Sequence, residues 1–507
     1  MYYTNILQYL ENTAPKFPEK CAFSDGVENK SFSELLDESR SVGSFLISKG
    51  QTKKPVLILM NKHPDTMAAF FGVIYAGGYY VAIDAEMPEI RIKLIIDSLQ
   101  PEALIYDEKN AKKADKLPEN ISKYLFSDIK KHPENSADLD KVRKAQIDTD
   151  PIYIVFTSGS TGIPKGVSAC HRSVIDYTET LCEAMGFSED IVFGNQTPLY
   201  FDAPLKEIMP TIKFGATTYF IPKQLFMFPT KLCDYLNEHK INTICWVVSA
   251  LTMISSLGAL ETNPPKYLKT VCFGSEVFPI PQYKLWRESC PNTEFFNLYG
   301  PTEATGMSTF WHADRELEDG EVIPIGNPFR NTQILLLDEK GNEVPHGEVG
   351  EIYIRGTCVT LGYFNNKEKT DEAFVQNPLN HAYPELIYKT GDLAKYNKHG
   401  EIVFVSRRDS QIKHMGHRIE LGEIEAALAN CEGINRACCV YNNEQKKIFA
   451  FFVGTVDTTA LTKQLKTLLP RYMIPNVIEK LDNMPLTANG KLDRKLLSET
   501  AKNYTTN

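Results

Sequence analysis

Ile154-Val155-Phe156-Thr157-Ser158-Gly159-Ser160-Thr161-Gly162-Ile163-Pro164-Lys165-Gly166-Val167 is the stretch on which the reading of this chain turns. An apolar, β-branched run stops abruptly, and hydroxyls, glycines and one lysine follow. A short buried strand that feeds a loop reads this way. The loop offers backbone N–H groups, the hydroxyls of Thr157, Ser158, Ser160 and Thr161, and the ammonium of Lys165. Glycine lets backbone approach an anion closely, so the segment suits phosphate. Its spacing is not that of a Walker A loop, which needs Gly-Lys followed by Ser or Thr; here Pro164 precedes Lys165 and Gly166 follows it. A Ser/Gly surface linker has a similar composition. It leaves unexplained the strand signal before the loop and the lone lysine that closes it.

Working outward, short apolar runs alternate with helical periods. Ile6, Leu7 and Leu10 fit one amphipathic helix, and Leu35, Leu36, Val42, Phe45 and Leu46 a second, which the Ser31-to-Glu34 capping-box spacing starts. Strands are expected at residues 55–60, 79–83 and 103–106, and helices at 66–75 and 91–99. Ala68, Ala69 and Gly72 predict close helix packing. Residues 107–150, rich in Lys, Asp, Glu and Asn, read as a solvated connection with some helix. Past the loop, strand-like runs at 192–195, 217–221, 241–248, 270–274 and 294–299 make a second α/β alternation. From about residue 322 the pattern turns to β-hairpins, with turns at 338–342 and 398–400. The expected fold is therefore α/β: a large N-terminal domain, residues 1–408, of two α/β layered subdomains plus a small β-barrel-like subdomain. A small α+β C-terminal domain, residues 409–507, follows a charged hinge near Asp409.

A chain of 507 residues exceeds one hydrophobic core. It is 43% hydrophobic and 23% charged, with a net charge of −9, so no basic footprint for nucleic acid is present. Its 11 cysteines lack any Cys-x-x-Cys pair and are expected to be free thiols of a reducing, cytoplasmic compartment. Residues 1–16 lack a basic region followed by an apolar run, so no signal peptide is expected. The most apolar run, 67–83, is broken by Gly77-Gly78 and is short for a membrane span.

Further punctuated motifs line up with the loop. They are Tyr299-Gly300-Pro301-Thr302-Glu303, Tyr388-Lys389-Thr390-Gly391-Asp392-Leu393, Gly416-His417-Arg418-Ile419-Glu420-x-x-Glu423-Ile424-Glu425 and Asn489-Gly490-Lys491-Leu492-Asp493-Arg494. Each alone reads equally as a turn or hairpin tip. Together and in this order they resemble the adenylate-forming superfamily: acyl- and aryl-CoA synthetases, luciferase-type enzymes and the adenylation domains of nonribosomal peptide synthetases. The resemblance is greatest to stand-alone amino-acid adenylating enzymes such as D-alanine:D-alanyl carrier protein ligase.

That resemblance implies an ATP-dependent ligase. A substrate carboxylate attacks the α-phosphorus of ATP and pyrophosphate leaves; the carboxylate is already ionised near neutral pH, so no general base is needed. The barrier lies in gathering anions and stabilising phosphoryl charge. The resemblance implies that Thr157, Ser158, Gly159, Ser160, Thr161, Gly162 and Lys165 hold the β- and γ-phosphates. Thr302 meets the α-phosphate, and Glu303 coordinates Mg²⁺. Tyr299 stacks on adenine, with Asn297, Gly300 and Gly274-Ser275-Glu276 around it, and Asp392 and Arg407 take the ribose. Lys491 bridges the substrate carboxylate and phosphate from a mobile C-terminal lid hinged at Asp409. The same lid then presents the Gly416-His417 region to the phosphopantetheine arm of a separate carrier protein.

Phe201-Asp202-Ala203-Pro204-Leu205-Lys206 resembles the motif whose aspartate holds the α-amino group of an amino acid. A buried carboxylate requires a cationic partner; an N-cap role for Asp202 is the alternative. Ala203, Lys206, Cys245, Val271, Phe273, Leu298, Gly306 and Met307 are the remaining expected pocket residues. Lys206 has two readings: its ammonium pairs with a second carboxylate of an acidic amino acid, or it snorkels to water and only its stem packs. Phe273 is expected to shorten the pocket, and Ser275 stands where D-alanine ligases carry glycine. Other functions open to the sequence are an acid:CoA ligase, which Asp202 opposes, and a nucleotide-binding protein without turnover.

Overall fold

The computed structural model describes residues 3–159, 162–408, 411–486 and 492–504. The chain packs as two compact units. One comprises Met1–Ala85, Pro101–Val155 and Gly166–Ser406; the other comprises Glu86–Gln100, Phe156–Lys165 and Arg407–Asn507. The class is α/β, with a large N-terminal part and a small C-terminal domain.

Two large sheets dominate. In the six-stranded sheet, Ser122–Leu125, Ala103–Tyr106, Pro55–Leu59, Tyr79–Ala82, Pro151–Thr157 and Lys165–Cys170 lie in that order. Its pairings from Ser122–Leu125 through to Pro151–Thr157 are parallel. In the nine-stranded sheet a parallel run, Glu294–Tyr299, Thr270–Gly274, Thr243–Val247, Val192–Asn195, Thr217–Phe220 and Cys21–Ser24, is flanked by antiparallel strands. One core joins Val56, Ile58 and Ile105 of the first sheet to Phe23, Phe193 and Phe220 of the second through four helices, Phe32–Ser48, Pro64–Tyr75, His171–Met185 and Leu205–Phe214. The other face of the nine-stranded sheet is covered by Pro229–Glu238, Val248–Ser256 and Ile280–Ser289, around Trp246 and Trp286.

Local chemistry explains several of these elements. Ser31 and Glu34 form the expected reciprocal cap, Glu34 N–H to Ser31 Oγ at 3.2 Å and Ser31 N–H to Glu34 Oε2 at 2.8 Å. A Cβ on Gly72 would lie 2.4 Å from Val42 Cγ1, so glycine sets the approach of helices Phe32–Ser48 and Pro64–Tyr75. The expected solvated connection at 107–150 holds more order than its composition suggests: the strand Ser122–Leu125 and the helix Ser136–Ala145.

A smaller antiparallel sheet runs Thr332–Leu337, Gly350–Gly356, Leu386–Tyr396 and Phe374–Gln376, with Ile402–Arg407 also paired to Leu386–Tyr396. The expected turn after Leu337 forms, with Asp338 N–H bonded to Asn342 O at 2.9 Å. It closes only a Leu337–Glu343 bridge, and the strand pairing resumes at Gly350.

In the second unit the strands Ile434–Asn442, Lys447–Gly454 and Val477–Lys480 form a sheet. Alternation splits its side chains: Cys439, Ile448, Ala450 and Phe452 pack with helices Leu421–Ala429 and Thr458–Leu468, and Cys438, Val440, Phe449 and Phe451 pack with Arg494–Lys502. All 11 cysteines are free, and ten are buried. No helix among the described residues is long and apolar enough to cross a membrane.

Candidate active site

The strand Glu294–Tyr299 carries Asn297, Leu298 and Tyr299 to a turn at Gly300, followed by the 3-10 turn Thr302–Ala304. Thr305 and Gly306 then take positive φ, 56° and 91°, and reverse the chain into Met307. The Tyr299 hydroxyl donates to Asp392 Oδ2 at 2.5 Å, so the residues expected at adenine and ribose are joined directly. Asp392 is 2% exposed, and its N–H is held by Thr390 Oγ1. Glu303 is fully buried; its Oε1 accepts from the Tyr363 hydroxyl at 2.7 Å. Asn297 Nδ2 donates to the Pro324 carbonyl at 2.7 Å. At the end of the neighbouring strand, Gly274 is followed by Ser275 at φ 68°, and Glu276 Oε2 accepts from Ser249 N–H at 2.8 Å.

Asp202 precedes the helix Leu205–Phe214 without capping it: the N-cap is Pro204, and no side chain serves it. Asp202 Oδ2 is enclosed and meets no hydrogen-bond donor, and an ideal Cβ on Gly306 would lie 3.7 Å from it. Burial lifts the Asp202 carboxyl above its ordinary range; Thr302 and the Lys206 ammonium act against that rise. The residues expected at the amine and at the α-phosphate are thus neighbours.

The expected pocket residues divide. Lys206, Cys245, Leu298 and Met307 are buried, and the last three share one core with Tyr177, Leu205 and Ile208. Ala203 is half-buried beside Asp202. Val271 and Phe273 belong to the core on the other face, where Phe273 packs edge-on against Phe278 at 5.0 Å between ring centres. The bulk of Phe273 therefore fills that core, apart from Cys245, Leu298 and Met307.

Sequence reasoning missed a polar cluster behind Asp202. Glu207 is fully buried, and neither carboxylate oxygen reaches a hydrogen-bond partner. Asn195, at the end of the strand Val192–Asn195, is likewise buried with both side-chain polar atoms unbonded. Lys62 Nζ donates to the carbonyls of Asn195 and Gln196, each at 3.2 Å. Burial pushes Glu207 up to about 8 and Lys62 down to about 7. The one available signal was a Lys-Glu pair inside the otherwise apolar run 205–212.

The opening loop lies in the second unit. Ser158 Oγ donates to the Arg418 carbonyl at 2.9 Å. Gly159 allows the loop to fold back, since a Cβ there would lie 2.0 Å from the Ile163 carbonyl oxygen. The Gly159 N–H serves Glu423, whose carboxylate also pairs with Arg91, both residues being buried. Arg407 ends the strand Ile402–Arg407. Ser160, Thr161, Asp409 and Lys491 lie outside the described residues. Among the described residues no group of three or more His, Cys, Asp or Glu is arranged to hold a metal. A cavity of about 680 Å³ on the small antiparallel sheet, lined by Gln333, Arg355, His381 and Tyr383 among others, includes none of the expected residues.

Residues 10–364 match the family described as AMP-binding enzyme, and residues 423–491 match the AMP-binding enzyme C-terminal domain. The chain belongs to this family, within the adenylate-forming superfamily, whose members use ATP. Gramicidin S synthase 2 of Brevibacillus brevis is 33% identical over 501 residues, which cover 97% of this chain and 11% of that protein. Tyrocidine synthase 1 of Brevibacillus parabrevis is 30% identical, covering 98% and 45%. The chain thus spans less than half the length of these two relatives. Among solved structures, IdnL1 aligns at a TM-score of 0.81 and 25% identity over 95% of this chain and 99% of that one. The o-succinylbenzoate CoA synthetase MenE of Bacillus subtilis shares the fold, at a TM-score of 0.82 and 20% identity over 97% and 98%.

Proposed function

We propose that this chain adenylates an amino acid with ATP, releasing pyrophosphate, and passes the aminoacyl group to the phosphopantetheine thiol of a separate carrier protein. The observation that carries the reading is Asp202: an enclosed carboxylate oxygen without a donor, beside Thr302 and Gly306. An α-ammonium supplies the missing donor and charge, and fixing it there orients the adjoining carboxylate toward Thr302. Tyr299 and Asp392 hold the nucleoside, with Arg407 at the ribose. Residues 157–165 hold the leaving phosphates. Lys491 stabilises charge on the carboxylate and α-phosphate as they join. Glu303 suits Mg²⁺, because it is a hard oxygen ligand and this ion commonly takes one or two protein carboxylates beside substrate phosphates. When bound, the ion neutralises phosphoryl charge.

The test is pyrophosphate exchange with each amino acid set against its desamino analogue. The amino acid should win, and Asp202→Asn should cost it about 10- to 100-fold in kcat/KM, the worth of a charged hydrogen bond. Equal rates with the desamino acid would remove the amine-binding role. Faster transfer to coenzyme A than to a holo carrier protein would favour an acid:CoA ligase instead.

A further inference from the structure

The polar cluster around Asp202 sets a charge requirement on the substrate. Two carboxylates, Asp202 and Glu207, and two ammonium groups, those of Lys62 and Lys206, lie close enough to act on one another. Their sum is zero when all are ionised. It is also zero when Glu207 keeps a proton and Lys62 loses one. The other groups facing this cluster are Tyr80, Tyr153, Tyr177 and Cys245; burial pushes all four up, so they are neutral. Glu303 also acts on Asp202, but it is held by Tyr363 and is the carboxylate assigned to the cation. An amino acid seated on Asp202 adds one positive charge, while its own α-carboxylate faces the nucleotide. One cationic charge is then left without a counter-ion in a water-poor pocket, a costly state.

Lys206 is where that charge resides. The residue is 7% exposed, which rules out the snorkelling reading in which its head reaches water. Among the described residues no carboxylate comes within ion-pair distance of its ammonium, and it makes no hydrogen bond. Lys62, by contrast, is anchored on two backbone carbonyls. Lys206 also stands four residues after Asp202, beside Cys245.

We infer that the amino acid taken by this chain has an acidic side chain, whose carboxylate pairs with Lys206 while Asp202 holds the α-ammonium. The inference rests on the amino-acid adenylation reading.

The experiment is pyrophosphate exchange by the full-length chain with aspartate, glutamate and 2-aminoadipate in both stereoisomers. Each is set against its neutral counterpart, asparagine, glutamine or norleucine, and the remaining proteinogenic amino acids complete the panel. An acidic amino acid should exceed its neutral counterpart by at least 10-fold in kcat/KM. Lys206→Met, which keeps the stem and removes the charge, should abolish that preference by lowering the acidic substrate about 100-fold while leaving the neutral one within a few-fold. Lys206→Arg should keep the preference. Equilibrium ATP binding, unchanged in both variants, reports that each is folded. A neutral amino acid preferred by wild type, with Lys206→Met leaving its rate unchanged, would overturn the inference and leave amino-acid adenylation standing. Exchange with no amino acid at all would overturn both.

Discussion

Replacing Glu207 with glutamine exposes how the buried cluster behind Asp202 holds its protons. Burial lifts the Glu207 carboxyl from 4.5 to about 8, and Lys206, Asn195 and Lys62 only partly oppose it. Between those two values the folded chain keeps a proton that the unfolded chain has released. Stability from this group is therefore complete below the unfolded value and is lost as pH rises through about 8. A single bound proton limits the slope to about 1.4 kcal/mol per pH unit. Glutamine has nearly the same shape and does not ionise. The unfolding free energy of Glu207→Gln minus that of wild type should thus climb with pH, by up to about 3 kcal/mol between about pH 5.5 and pH 7.5.

Lys62 works in the opposite sense. Burial lowers it from 10.5 to about 7, so its contribution to stability grows as pH rises from about 7 toward 10.5. Measurements below pH 7 therefore isolate Glu207. Urea unfolding at constant ionic strength, followed by tryptophan fluorescence, reads the difference. Trp246 is a local reporter, because its Nε1 donates to the carbonyl of Gly194, next to Asn195. A difference that stays flat with pH, with the variant less stable throughout, would refute the reasoning. It would mean that Glu207 is ionised and paired across the whole range.

Tyr299→Phe removes the donor to Asp392 and should weaken ATP binding about 10-fold, since hydrogen bonds to charged groups are worth roughly 1.5–3 kcal/mol; unchanged affinity by calorimetric titration would count against the adenosine assignment. Ser275→Gly relieves a φ of 68° and should raise the unfolding free energy by about 0.5–1 kcal/mol in denaturant titrations, and a loss would show that the Ser275 side chain holds the turn. Lys491→Ala should lower pyrophosphate exchange at least about 100-fold, the scale of removing one transition-state donor, yet leave thiol transfer from preformed aminoacyl adenylate within a few-fold. Equal losses in the two half-reactions would sink the proposed division of labour.

The fold was legible where local chemistry and burial agree. The Ser31–Glu34 cap, the strands at 55–59 and 103–106, and the separation of residues 434–454 into two strands all follow from apolar period and turn residues. The strand Ser122–Leu125 was hidden because it is an edge strand. It pairs on one side only, its side chains are exposed or half-exposed, and Lys123 interrupts any apolar pattern. The short strands Phe374–Gln376 and Val477–Lys480 escape for the same reason: three or four residues are too few to show a period, and a neighbouring strand supplies their order.

The candidate site was legible along the chain and illegible across it. Motif spacing finds Tyr299 and Asp392, but which face a strand residue presents depends on register, and an offset of one residue reverses it. Cys245 pairs with Cys272 in the sheet, so Val271 and Phe273 on either side of Cys272 point to the opposite core. Lys62, Asn195 and Glu207 come from three elements, with 133 residues between Lys62 and Asn195, and no linear pattern joins them. Lys206 shows the same limit most sharply. Its position in the Asp202 motif is plain from sequence, but a lysine stem is long enough to reach water from most helix faces. Only the packing that leaves it 7% exposed turns a residue type compatible with any substrate into one that demands an anion.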